Sequence, residues 1–208
     1  MGIQERKERE KERRRQQIMV AARRIFSKNG FNRATMEDIA KEAELSPGTL
    51  YIYFKNKDEL YVSLSLRILQ YLLIRLQHVK NKSLKPEESL VALQEAMFDV
   101  YDFDPMILIN LFQLQSSVTL KSVSPELLSQ IKSLSQRSFS IIAYIMAQNI
   151  KYGSFIDQHP MAVANIYWSL FSGVILWETS KKIINNDKDY LKKTLKTAFE
   201  IFNRGILK

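Results

Sequence analysis

Two helix-start signals lie so close together that the chain between and after them has room only for two short helices and a tight turn. At Thr35 the hydroxyl is placed to cap the amide of Asp38, and the Asp38 carboxylate to reach back, which makes a reciprocal capping box. At Ser46 a capping hydroxyl is followed at once by Pro47, whose fixed φ and missing N–H suit the first helical position. These signals predict helices over Thr35–Ala43 and Ser46–Tyr53. A longer helix precedes them, from about Glu8 to Lys28, with Ile18, Ala21, Ala22, Ile25 and Phe26 on one apolar face. Asn29-Gly30 then supplies a residue able to take positive φ, with Phe31 folding back as its apolar contact. A short pair braced by a longer helix is a helix-turn-helix. Its geometry asks for a small residue where the pair crosses, met by Ala40, and for Ile39 and Leu50 to point inward.

The rest of the chain continues in the same idiom. Apolar residues recur at helical spacing almost throughout, and no convincing stretch alternates as a strand would, so the fold class is all-α. Lys57 to about Gln77 reads as one helix, long enough to connect two domains, on Leu60, Leu64, Ile68, Leu72 and Leu76. Prolines mark further starts at Pro86, Pro105, Pro125 and Pro160. The helix after Pro125 runs to Tyr152 and is ended by Gly153, the one from Pro160 to about Lys182, and the last from about Asp187 to Arg204. The expected organisation is a DNA-binding domain with a basic extension over residues 1–56. A bundle of roughly six helices follows over residues 57–208.

Charge agrees with that division. The chain carries 31 Lys/Arg against 22 Asp/Glu, a net +9. Met1–Lys57 holds 14 against 8, net +6, and the remainder 17 against 14, net +3. A basic first quarter before a nearly balanced body points to a polyanion partner for that quarter. There is no cysteine, which removes disulfides, thiolate metal sites and cysteine nucleophiles. The two histidines, His78 and His159, lack partners at metal-ligand spacing, so neither metal nor cofactor is expected. No Gly-rich phosphate loop is present, and the isolated His159 near Asp157 is explained by the turn before Pro160, so an enzyme reading finds little support. No signal peptide is visible and the longest apolar run, Met161–Trp177, reads as a buried bundle helix, which gives a cytoplasmic expectation with no membrane partner.

The second short helix must sink into a major groove. Gly48 lets its backbone approach a phosphate, while Thr49, Tyr51, Ile52 and Tyr53 project outward. Thr49 and Ile52 suit base edges or thymine methyls, and Tyr51, Tyr53 and Lys57 suit phosphates. The segments Phe31–Ala40 and Ser46–Leu60, within a match covering about Met19 to Tyr61, closely resemble the signature of the tetracycline-repressor (TetR) family. The resemblance implies a homodimer that reads palindromic double-stranded DNA and leaves it when a small molecule enters the second domain. Carried over by position, it places DNA contacts at Thr35, Ser46, Pro47, Gly48, Thr49, Tyr51, Ile52, Tyr53 and Lys57.

Three features admit two readings each. The arm Arg6–Arg15 is either a solvated helix with interleaved charges or an element that touches phosphate or minor groove through Arg13, Arg14 and Arg15. The aromatics of the second domain are either core or the lining of an elongated pocket for a lipophilic effector. The candidates for that pocket are Phe98, Tyr101, Phe112, Gln115, Tyr144, Asn149, Tyr167 and Phe171. The small-residue pair Ser169 and Gly173, with Trp168, and the stripe Leu195, Phe199 and Phe202 are expected at a four-helix dimer interface, with burial inside one subunit as the alternative.

Overall fold

The computed structural model describes residues 2–82, 84–115, 123–185 and 189–208. Among these, nine helices follow one another: α1 Ile3–Arg33, α2 Met36–Glu42, α3 Pro47–Tyr53, α4 Lys57–Lys80, α5 Pro86–Phe103, α6 Pro105–Gln115, α7 Pro125–Lys151, α8 Pro160–Asn185 and α9 Leu191–Ile206. The only extended pairing among the described residues is an isolated bridge between Phe155 and Leu207. The all-α expectation holds, and the proline-marked starts of α5, α6, α7 and α8 fall where the sequence put them. Two have side-chain caps as well: Asp104 Oδ1 accepts from the Ile107 amide at 3.2 Å and Ser124 Oγ from the Leu127 amide at 3.3 Å. The expected start of the last helix, Asp187, lies outside the described residues; α9 is regular from Leu191.

The chain forms two compact units, Met1–Arg67 with Leu114–Ser129, and Ile68–Gln113 with Gln130–Lys208, so α4, α6 and α7 contribute residues to both. In the first unit, α1 begins earlier than expected and is interrupted at Gly30, whose φ of 73° and ψ of 161° break the helix before its last residues. That conformation is open to glycine and strained for other residues. Phe31 then packs 5.8 Å from Phe26 and 4.4 Å from Tyr61, ring centre to ring centre, which is the apolar closure expected after the break.

The second unit is centred on aromatic residues. Tyr167 and Phe171 of α8 are fully buried, as is Phe199 of α9. Tyr167 stacks on Phe199 with ring centres 5.0 Å apart, and Phe112 and Trp168 meet edge to face at 5.6 Å. The apolar run of α8 is therefore buried on one face only. Its other face exposes Ile166, Trp177 and Ile184. Among the described residues Pro160–Lys182 has the length and apolar content of a membrane span; its inward side is packed on α9.

Candidate nucleic-acid interface

The α2–α3 pair is fixed by local hydrogen bonds before any long-range packing. The Thr35 box forms in both directions, with Asp38 N–H to Thr35 Oγ1 at 3.1 Å and Thr35 N–H to Asp38 Oδ2 at 3.2 Å. The end of α2 is closed by Leu45 N–H to the Ala40 carbonyl at 2.9 Å and Glu44 N–H to the Lys41 carbonyl at 3.1 Å. That is the Schellman pattern, which needs a left-handed residue and usually has glycine there. Here Glu44 takes it, at φ 55°. Ser46 Oγ then accepts from the Thr49 amide at 3.1 Å and starts α3. Ile39, Ala40 and Leu50 are fully buried at the crossing, as their spacing requires.

Of α3 only Leu50 is buried. Tyr51 is 47% exposed and Ile52 80%. Thr35, Ser46, Pro47 and Gly48 are exposed beside them, and Thr49 and Tyr53 are half-buried. A Cβ on Gly48 would come no nearer than 4.0 Å to any neighbouring atom, the closest being Ser46 Oγ, so the chain's own packing does not demand glycine there. The structure thus brings the expected residues, Lys57 excepted, to one surface.

Lys57 is engaged within its own unit. Its Nζ donates to the carbonyls of Phe31 at 2.8 Å and Ala34 at 3.0 Å, and lies 4.5 Å from the Phe31 ring centre. Once Gly30 interrupts α1, the carbonyls after it need donors, and this ammonium supplies them. Two of its three donors are thereby used inside the unit. Lys55, two residues earlier, is exposed at the end of α3 and has no ion-pair partner among the described residues. Sequence reasoning passed over it because the family pattern favoured Lys57. The arginine triplet divides in a similar way. Arg15 lies 4.4 Å from the Phe54 ring centre and donates to Ser63 Oγ at 3.2 Å, so it braces α1 against α4. Arg13 pairs with Glu10 at 2.6 Å, and its hydrogen bond, the largest cause, holds the Glu10 carboxyl below its usual range.

Residues 18–64 match the family model described as bacterial regulatory proteins, tetR family. A helix-turn-helix transcriptional regulator of Haemophilus influenzae is 31% identical over 108 residues, 52% of this chain and 58% of that protein. A fatty acid metabolism regulator protein of Bacillus subtilis is 24% identical over 192 residues, 91% of this chain and 94% of the relative. The crystal structure of the transcriptional regulator FadR from Bacillus subtilis in complex with stearoyl-CoA aligns at a TM-score of 0.67, with 20% identity, over 92% of this chain and 98% of that one. The segment over residues 18–64 is thus similar to the DNA-binding segment of TetR-family regulators.

The expected effector residues do not converge. Tyr167, Phe171 and Phe112 are buried in the aromatic core, and Phe98 meets Phe199 edge to face at 6.2 Å. Tyr101 borders a small cavity of about 170 Å³ with Asp189 and Tyr190. Tyr144 and Asn149 line a larger one of about 480 Å³. The side chain of Gln115 lies outside the described residues. The dimer candidates also divide. Leu195, Phe199, Phe202 and Trp168 are buried within the unit, because α9 turns its whole apolar stripe onto α8. Ser169 and Gly173 are exposed, on the same face of α8 as Ile166, Trp177 and Ile184.

Proposed function

We propose that the chain is a ligand-responsive transcriptional repressor, a homodimer that holds a palindromic operator and is released by a small lipophilic effector. The observation that carries this reading is the outward face of α3. A seven-residue helix anchored by one buried leucine exposes Tyr51 and Ile52, which nothing in its own unit uses. Large apolar side chains on a groove-sized helix, with polar caps at its start and Lys55 at its end, suit base edges and phosphates. The DNA-contacting set is Thr35, Ser46, Pro47, Gly48, Thr49, Tyr51, Ile52 and Tyr53, with Lys55 as the phosphate contact. DNA binding is assigned to residues 1–56, ligand binding and dimerisation to residues 57–208.

The dimer surface is the exposed face of α8, where small Ser169 and Gly173 let another helix approach and Ile166, Trp177 and Ile184 supply apolar area, with Ile201 of α9 beside them. The relative solved with stearoyl-CoA supports a lipophilic effector. Release then follows from linkage: the ligand favours a dimer whose recognition helices no longer match half-sites about one helical turn apart. The protein acts in the cytoplasm and needs no catalytic residue.

Selection of bound duplexes from a random pool, followed by a salt titration on the winner, tests this. The expected result is a palindrome bound in the nanomolar range or tighter, as is usual for specific complexes, with affinity falling steeply in salt. Weak binding that ignores sequence would overturn the reading.

A further inference from the structure

The cavity of about 480 Å³ lies among the last turn of α4, the start of α5 and the end of α7. Its size is that of a small-molecule site, for which roughly 300–1,000 Å³ is typical. It differs in chemistry from the aromatic core of the same unit. Val79, Pro86 and Ile145 give it apolar walls. At its base Asn149 is only 5% exposed. The Asn149 amide nitrogen donates to the Ile145 carbonyl at 2.8 Å and to Ser89 Oγ at 3.1 Å. The Ser89 hydroxyl donates onward to the Pro86 carbonyl at 2.6 Å.

This chain of bonds settles which way the amide faces. The Ile145 carbonyl only accepts, and Ser89 has committed its proton to Pro86, so the NH2 group must be the one turned toward both. Asn149 Oδ1 is left as an acceptor with no partner among the described residues. Asn149 lines the cavity, and its free Oδ1 can there accept from a ligand's donor or from water.

The rim carries the opposite demand. Lys80 and Lys85 border the cavity, and no carboxylate is among its described lining residues. The Lys80 ammonium lies 4.5 Å from the ring centre of Tyr144 and has no acidic partner among the described residues. Lys80 also borders a second, more open groove between α4 and α7, where Arg137 adds a further cation and again no acidic residue is present. The rim is therefore positive on both sides of Lys80, and the ring holds its ammonium without neutralising it.

We infer that this cavity is the effector site, and that it takes a small amphipathic carboxylate with a hydroxyl or amide N–H close to the acid group. The acid meets Lys80 and Lys85, the neighbouring donor satisfies Asn149 Oδ1, and the apolar body lies against Val79, Pro86 and Ile145. The word effector rests on the regulatory function proposed above; the site and its ligand class do not.

Titration calorimetry on the full chain, with three probes of one skeleton, separates these demands. 3-Hydroxy-4-phenylbutanoate carries acid and donor, 4-phenylbutanoate lacks the donor, and 4-phenylbutane-1,3-diol lacks the charge. The hydroxy acid should bind best, the plain acid several-fold more weakly, and the diol about 10-fold more weakly or worse, since bonds to charged groups are the stronger. The double variant Lys80→Met, Lys85→Met should lose about 10-fold for the hydroxy acid and leave the diol unchanged. Both lysines are exposed, and an unaltered melting curve checks the fold. Equal binding of diol and hydroxy acid, or a double variant that binds the hydroxy acid as well as the parent, would overturn the site. Binding with unchanged affinity for the selected operator would overturn the effector role and leave the site standing. Absence of any specific operator would overturn the regulatory function while the three-probe comparison still decides the site.

Discussion

Helices α3 and α9 use similar residues in opposite ways. Both carry large apolar side chains at helical spacing. In α9, sixteen residues long, Leu191, Leu195, Phe199, Phe202 and Ile206 all turn inward. In α3, seven residues long, Leu50 turns inward while Tyr51 and Ile52 face solvent. A helix of two turns has too little area to be held by burial, so α3 is held by its ends: the Ser46 cap, Pro47, and the Schellman turn behind it. A helix of four turns needs no such help and is held by its stripe. Large apolar side chains therefore mark a core in one place and an exposed surface in the other, and the means of support tells them apart.

That contrast can be broken in order of effect. Phe199→Ala should cost about 3–5 kcal/mol of stability, as large-to-small changes in packed cores do, measured by urea unfolding. A loss below about 1 kcal/mol would mean the α8–α9 core is loosely packed. Ile52→Ala should change stability by no more than about 0.5 kcal/mol, as for exposed sites, yet weaken the selected operator by about 1–3 kcal/mol, the range for a lost base contact. A stability loss comparable to that of Phe199→Ala would show that α3 is a packing element after all. Ser46→Ala should cost about 1 kcal/mol through the lost cap, a larger fraction of what holds α3 than any cap contributes to α9.

Two smaller changes should stabilise. Glu44→Gly relieves a left-handed residue and should gain up to about 1 kcal/mol without altering operator affinity. Tyr167→Phe removes a fully buried hydroxyl that has no hydrogen-bond partner among the described residues, for a gain of about 1 kcal/mol. It also sharpens the comparison in alkali. Burial raises the Tyr167 hydroxyl well above its ordinary pKa in the second unit, and burial raises that of Tyr61 in the first. The unfolded chain ionises both from about pH 10, so above that pH it has released protons that the native state retains. Stability is therefore full below about pH 10 and falls as pH rises toward the folded-state values. Tyr167→Phe should make that fall shallower in a melting series from pH 9 to about pH 11; an unchanged slope would place the alkaline sensitivity with Tyr61 and Tyr101, whose hydroxyls are also raised.

Much of this was legible where the code is local. Thr35 with Asp38, Ser46 with Pro47, and the four prolines that start α5 to α8 each state a backbone requirement within a few residues. The exposed residues of α3 followed from them, since a short capped helix leaves few ways to orient its faces. What escaped depended on distant parts of the chain. Periodicity showed that Leu195, Phe199 and Phe202 form a stripe, but not that α8 of the same unit covers it. Lys57 looked like a free cation because the carbonyls it satisfies belong to α1 and become needy only when Gly30 interrupts that helix. Glu44 carries no signal for a left-handed turn; the pattern of bonds around it imposes the conformation. The cavity beside Asn149 is the space that packing leaves over, which periodicity does not encode.

The engagement of Lys57 makes neighbouring amines chemically unequal. Acylating reagents attack the neutral form of an amine that is free to approach them. An ammonium donating to two carbonyls beside an aromatic ring is not free to approach them, whereas Lys55, two positions away, is exposed. The pair is thus a ratiometric reporter carried on one short peptide. Labelling at Lys55 follows occupation of the outer surface, and labelling at Lys57 follows opening of the joint between α1 and α4. Mass spectrometry of that single fragment would distinguish a ligand that covers the recognition helix from one that loosens the scaffold beneath it.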